Sequence, residues 1–314
     1  MLNNPSLKWP LVGLFLFLSF GLLYASVSIG AIDLDGSGLI LFQSRIPRTL
    51  AVVLAGASLA VAGTLMQLLV NNKYVEPSTT GTTEWALLGM LVILVFFPEA
   101  SVWIKLTWAT VFAFVGAGSF LWLVKLLPTY QGALVPLVGI MYSGIISSAV
   151  YFFAYPMDLL QSLMTWVQGD FSTILKGRYE LLWLAAFSTL WVYWLADRFT
   201  LVSLGRSFAL GVGVRYQFTL ILGLLAIAMT TSVTLVTVGI LPFLGLVVPN
   251  LVSMLVGDNL RKSLPLIAGF GAVLILLADI VARLVIHPYE MPIGLILGIG
   301  GSVIFLWLLL KRRN

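Results

Sequence analysis

The sequence predicts an all-α fold, a polytopic membrane helical bundle of about ten transmembrane helices that forms a single domain over residues 1–314. Three observations lead there. Apolar residues make up 60% of the chain and charged residues 9%, whereas soluble domains run about 45–50% apolar and about 25% charged. A water-facing surface cannot be built from so few charges, so the bulk solvent is lipid. Apolar windows near the length that crosses a hydrocarbon core, about 20 residues, recur along the chain. The basic residues are also spread unevenly over successive connections, as membrane orientation requires.

The first window covers residues 11–32 and contains no charge. It follows Lys8, exceeds the usual length of a secretory signal core and precedes no small-x-small cleavage pattern, so it reads as a membrane helix. Further windows lie at 50–70, 85–97, 106–124, 133–155 and 181–196. Residues 216–257 carry no charge over 42 positions. One helix of that length would be about 63 Å long, so two spans are expected, divided where Gly239 and Pro242 interrupt the pattern. Pro249 should kink the second of them. Residues 263–287 form the ninth span, with Asp279 and Arg283 inside it, and 291–310 the tenth. Gly56, Ala60 and Gly63 share one face of the second span, and Gly294 and Gly298 repeat at four in the last. Small residues at such spacing let membrane helices approach closely.

Ten spans put both termini on one side. With that side inside, the inner segments hold 11 of the 17 basic residues and the outer segments six. The excess is expected to place both termini in the cytoplasm.

Much chemistry is excluded. There is no cysteine, so neither disulfides nor thiolate metal sites arise. The single histidine, His287, makes no metal site alone. No Gly-Lys dipeptide occurs, so the phosphate-cradling loop of nucleotide-binding proteins is missing. The chain is not expected to be an enzyme or to bind a cofactor directly, and any ATP and magnesium belong to a separate subunit. The net charge of +5 is not gathered into a groove-sized basic patch, so nucleic acid is not an expected partner. Asp279 and Arg283, four apart on one helix face, can form an intramembrane ion pair. One self-neutralising pair gives little basis for a proton-coupled carrier, which would need a buried relay.

Three stretches carry a resemblance. Residues 44–72 read SRIPRTLAVVLAGASLAVAGTLMQLLVNN, residues 239–265 read GILPFLGLVVPNLVSMLVGDNLRKSLP, and residues 276–313 read LLADIVARLVIHPYEMPIGLILGIGGSVIFLWLLLKRR. In this order they resemble the iron-siderophore and cobalamin permeases, the type II ABC importers. The resemblance implies a ten-helix permease that works beside a second permease subunit, itself or a paralogue. Two copies of an ABC ATPase would sit below, and a substrate-binding protein would deliver a ferric siderophore from outside.

It also implies roles for residues. Arg45, Arg48 and Arg283 match arginines that meet carboxylates of the binding protein, for which guanidinium geometry is suited. Interfacial anchoring is the alternative use of the first two, and pairing with Asp279 that of the third. Residues 201–215, LVSLGRSFALGVGVR, resemble the segment that docks into the ATPase as two short helices, with Leu204, Gly205, Arg206, Ala209, Gly211 and Val212 at the matching positions. The turn at residues 129–132 is a candidate inner gate. Asn250 stands where the family usually has histidine, and Ser253 where arginine is common. The sequence NKYVEPSTTGTTEWA after the second span keeps Pro77 and Gly81 but changes much else, a variant similar to the branch serving catecholate-type siderophores. A cobalamin or haem permease is the alternative within the family, and a secondary transporter the alternative outside it.

Overall fold

The computed structural model describes residues 5–30, 38–127, 134–257 and 259–312. Among them are thirteen α-helices and no strand. In chain order these are α1 (Pro5–Ser28), α2 (Ile46–Val70), α3 (Thr82–Phe96), α4 (Val102–Lys125), α5 (Leu134–Ala154), α6 (Leu160–Val167) and α7 (Leu182–Trp194). Then follow α8 (Ala196–Ser203), α9 (Arg206–Gly211), α10 (Tyr216–Thr237), α11 (Leu244–Val256), α12 (Leu260–Leu284) and α13 (Ile293–Arg312). The ten expected spans correspond to α1–α5, α7 and α10–α13. The candidate gate at 129–132 lies outside the described residues.

The bundle is organised around α2. With the π-helical turn Leu41–Arg45 that precedes it, its most apolar stretch is 78% buried, against 17% for α5. α2 packs against α7, α10, α11 and α12, and small residues set how closely. A Cβ added at Gly56 would lie 2.6 Å from Gly271 O, and one at Gly63 would lie 2.2 Å from Gly245 Cα. Backbones therefore meet backbones at two points along α2, which lets dispersion contacts replace the hydrophobic drive that lipid does not supply. Gly294 packs near Gly169 and Ile240, but Gly298 has nothing within 4 Å, so its expected packing role is corrected.

The charge-free run divides where the sequence indicates. α10 stops at Thr237, and α11 starts at Leu244 after Gly239 at φ +101° and Phe243 at φ +64°. At 13 residues α11 is about 20 Å long, so it cannot cross a hydrocarbon core of about 30 Å. Its first residue lies at the level of Gly63, well inside the bundle. Pro249 removes the N–H that would reach Gly245 O four residues back. Gln67 Nε2 of α2 donates to that carbonyl instead, at 3.2 Å.

Some elements were not legible beforehand. α6 is a short amphipathic helix that buries Leu163 against Leu91, Val150 and Ala154. α8 begins at Ala196, five residues before the expected coupling segment, because Ala196, Phe199 and Val202 are buried in the bundle.

Candidate functional site

The C-terminal ends of α1 and α12 and the N-terminal end of α2 meet in one buried charge network. Arg48 Nε and Nη2 donate to Asp279 Oδ1 at 3.2 and 2.8 Å, and Arg48 Nη1 donates to Glu290 Oε2 at 2.6 Å. Arg283 Nη2 donates to the other oxygen of Asp279. Two guanidiniums thus face two carboxylates, a neutral set. A buried charge without such compensation would carry a large desolvation cost.

Other donors of the arginines cap α1. Arg45 Nη1 donates to Val27 O and Ser28 O at 3.0 and 2.7 Å, and Arg283 Nη1 to Ser26 O and Ile29 O at 2.8 and 3.0 Å. A helix C-terminus exposes carbonyls and partial negative charge, and two arginines answer both. Arg45, Arg48 and Arg283 are 6%, 9% and 4% exposed. The three arginines come together, as their shared resemblance implies, but their guanidinium groups point at acceptors of their own chain. Glu290, the fourth member of the charge set, is not among the candidate residues of the sequence. Its pairing with Arg48 spans 242 residues, so local pattern carries no sign of it.

At its other end α2 leads into a connection that turns back. After α2, Asn250 Nδ2 donates to Lys73 O at 2.8 Å and Lys73 Nζ to Ser253 Oγ at 3.2 Å. Glu76 Oε1 then accepts the backbone N–H of Phe243 at 2.8 Å and Ser78 Oγ–H at 2.6 Å. The contacts run from the C-terminal half of α11 to its very start, so residues 73–76 run antiparallel to α11, back into the bundle. A helix start at that depth has N–H groups no water can satisfy. The Glu76 carboxylate, 3% exposed, supplies the acceptor. Glu84, in the first turn of α3, has a buried oxygen with no partner among the described residues. Sequence reading missed both carboxylates. The available signal was two acids within a short connection between apolar spans.

The connection between α7 and α10 forms α8 and α9, joined through Leu204 and Gly205, whose φ of +106° favours glycine. Ala209 is fully buried and fastens α9. Leu204, Phe208, Leu210 and Val212 are 50–60% exposed, an apolar strip on a connection that also carries Arg206 and Arg215. Phe208 and Leu210 were not among the candidates, although apolar residues in a polar connection could have singled them out. Gly211 ends α9, and Arg206 and Gly211 are exposed.

The fold superimposes on the solved structure of a metal-chelate type ABC transporter in an inward-facing conformation, with TM-score 0.79 and 25% identity, over 97% of this chain and 99% of that one. The class so defined is a multi-pass membrane permease with the type II ABC importer fold. It is a transport component and not an enzyme. The chain belongs to the FecCD transport family, which it matches over residues 11–311. It is 45% identical to the petrobactin import system permease protein YclN of Bacillus subtilis, over 87% of this chain and 86% of that protein. It is 38% identical to the ferric-anguibactin transport system permease protein FatD of Vibrio anguillarum, over 86% of each chain. The vitamin B12 import system permease protein BtuC of Vibrio cholerae is 32% identical over 100% of this chain and 98% of its own length.

Proposed function

We propose that this permease carries ferric siderophores, of the catecholate type, across a bacterial inner membrane into the cytoplasm, where both its termini lie. The observation that carries the reading is the identity gradient among relatives. It stands at 45% and 40% for proteins named for petrobactin and falls to 32% for one named for vitamin B12. Cobalamin is the second reading, favoured by the full-length match to the B12 permease.

In this proposal the chain pairs with a second permease and stands on two ATPase subunits, which bind ATP and magnesium. The strip formed by Leu204, Phe208, Leu210 and Val212 enters a groove of the ATPase, a use that suits exposed apolar residues on short helices. A loaded binding protein docks at the outer end of α1 and α2. There Arg45, Arg48 and Arg283 shape the surface, and direct contact with the partner requires their internal bonds to open.

The test is ATP hydrolysis by the reconstituted complex with its binding protein loaded, in turn, with a ferric catecholate siderophore and with cobalamin. Stimulation by the ferric complex, lost in Leu204→Asp with assembly intact, is the expected result. Stimulation by cobalamin alone would replace the cargo, and stimulation that survives Leu204→Asp would remove the strip from coupling.

A further inference from the structure

Beside the break between α10 and α11 lies a small cavity of about 30 Å³. A space of that order holds about one or two water-sized guests. Its walls come from α2, α10, the start of α3, the connection after α2 and the break itself. Glu76, Ser78, Thr83, Thr231 and Thr234 supply side-chain oxygens, and leucines close much of the rest. No Lys, Arg or His stands among the described residues of the wall.

The donors around Glu76 hold it as a carboxylate. Oε1 accepts the hydroxyl of Ser78 and the N–H of Phe243, and the N–H groups of Gly245 and Leu246 face the same carboxylate. A shell of donors suits the ionised form, which only accepts. Glu76 is 3% exposed, and among the described residues it has no ion pair. A buried carboxylate of this kind calls for an opposite charge. Two helix ends bear on it. The start of α11 brings about half a positive charge, and the end of α10, whose Thr234 and Leu235 line the cavity, about half a negative one. The two cancel, and the charge of the carboxylate remains.

A second observation points into the same cavity. Thr231 lines it and is 4% exposed, and its Oγ1 has no hydrogen-bond partner among the described residues. Ser78 Oγ and Thr234 Oγ1 donate their protons to Glu76 and to Thr230 O, which leaves lone pairs on both oxygens. The set is one carboxylate among hydroxyl oxygens, the ligand chemistry of hard cations. Calcium requires six to eight oxygens and magnesium keeps several waters, more than a space of this size holds. A monovalent cation fits both the single charge and the size.

We propose that this cavity binds a sodium ion between Glu76 and Thr231. The ion neutralises the carboxylate and ties the connection after α2 to the last turns of α10 and the start of α11. The site stands on the geometry of this chain and does not depend on the cargo or partners proposed above.

The test exchanges the purified, assembled complex into choline chloride and follows its thermal midpoint as sodium is returned at constant ionic strength. With sodium about fivefold above its Kd, the midpoint should rise by about 2–4 °C. Thr231→Val keeps the shape and removes the hydroxyl oxygen, and it should raise the sodium concentration required about tenfold. Glu76→Gln keeps an acceptor for Phe243 and removes the charge, and it should abolish the rise. The threonine variant covers the case in which the glutamate variant does not assemble. Retention of radiolabelled sodium should fall in the same order, wild type, Thr231→Val, Glu76→Gln. An equal rise with potassium supports the site and widens it to alkali cations. Equal midpoints of the wild type in sodium and in choline, or the same rise in all three proteins, leave the cavity to water and overturn the proposal. A rise with magnesium alone overturns the monovalent assignment.

Discussion

Gln67 and Pro249 complete one another across the interface of α2 and α11. The proline removes the backbone donor that Gly245 O would otherwise receive, and the Gln67 carboxamide supplies one at 3.2 Å. The kink expected from Pro249 is thus bound to a second helix. Gln67→Met should lower stability by about 1 kcal/mol, as for other interhelical hydrogen bonds in membranes. Pro249→Ala restores the N–H and should remove most of that penalty in the double variant. Thermal midpoints of the four proteins form the cycle, and equal costs of Gln67→Met in both backgrounds would dissolve the coupling.

Gly63 faces Gly245 at backbone contact, and neither backbone has a flexible group to move aside. Gly63→Val should therefore destabilise by about 1–3 kcal/mol or more, the range for overpacked cores. Gly298→Ala, with nothing within 4 Å, is the matched control and should leave the melting temperature unchanged. A tolerated valine at position 63 would mean that α2 and α11 are not packed as described.

Asp279 holds two arginines at once. Asp279→Leu leaves Arg283 without a carboxylate and Arg48 with Glu290 alone, one positive charge in excess in a buried place, and should cost about 3–5 kcal/mol. Removing that surplus charge as well, in Asp279→Leu/Arg283→Met, should recover part of the loss. Folded yield in membranes and the thermal midpoint measure it. A double variant worse than the sum of its single variants would contradict the neutral-network account.

Glu76→Ala should leave the start of α11 without its acceptor and cost about 1–3 kcal/mol, the penalty for an orphaned buried group. Glu76→Gln keeps a carbonyl oxygen at the same place and should cost less. Limited proteolysis of the 71–81 connection reports the result. Equal susceptibility of the two variants would show that charge rather than acceptor geometry fixes the connection.

Asp197 and Arg261 join α8 to α12, with side chains 61% and 57% exposed. An exposed pair contributes about 0–1 kcal/mol, so Asp197→Asn should leave the melting temperature and uptake of a labelled ferric siderophore close to wild type. A large loss would show that this pair, rather than burial of Phe199 and Val202, holds α8 in place.

The sequence by itself determined most of the spans, the break between α10 and α11, and the family. In lipid every backbone polar group must be satisfied within the chain, so apolar length, glycine and proline mark helices and their ends almost without tertiary help. Gly56 and Gly63 were legible as packing residues for the same reason, since only small side chains permit close approach. Only the tertiary structure decided where the charges go. Arg45 and Arg283 turn to the open carbonyls where α1 ends beside them, and Arg48 meets Asp279 and Glu290 from more than two hundred residues away, while the Asp279–Arg283 pair, four apart, was already legible. Glu76 returns into the bundle because the short helix α11 starts there and requires an acceptor. Such pairings depend on which elements become neighbours, and no local period in the sequence records that.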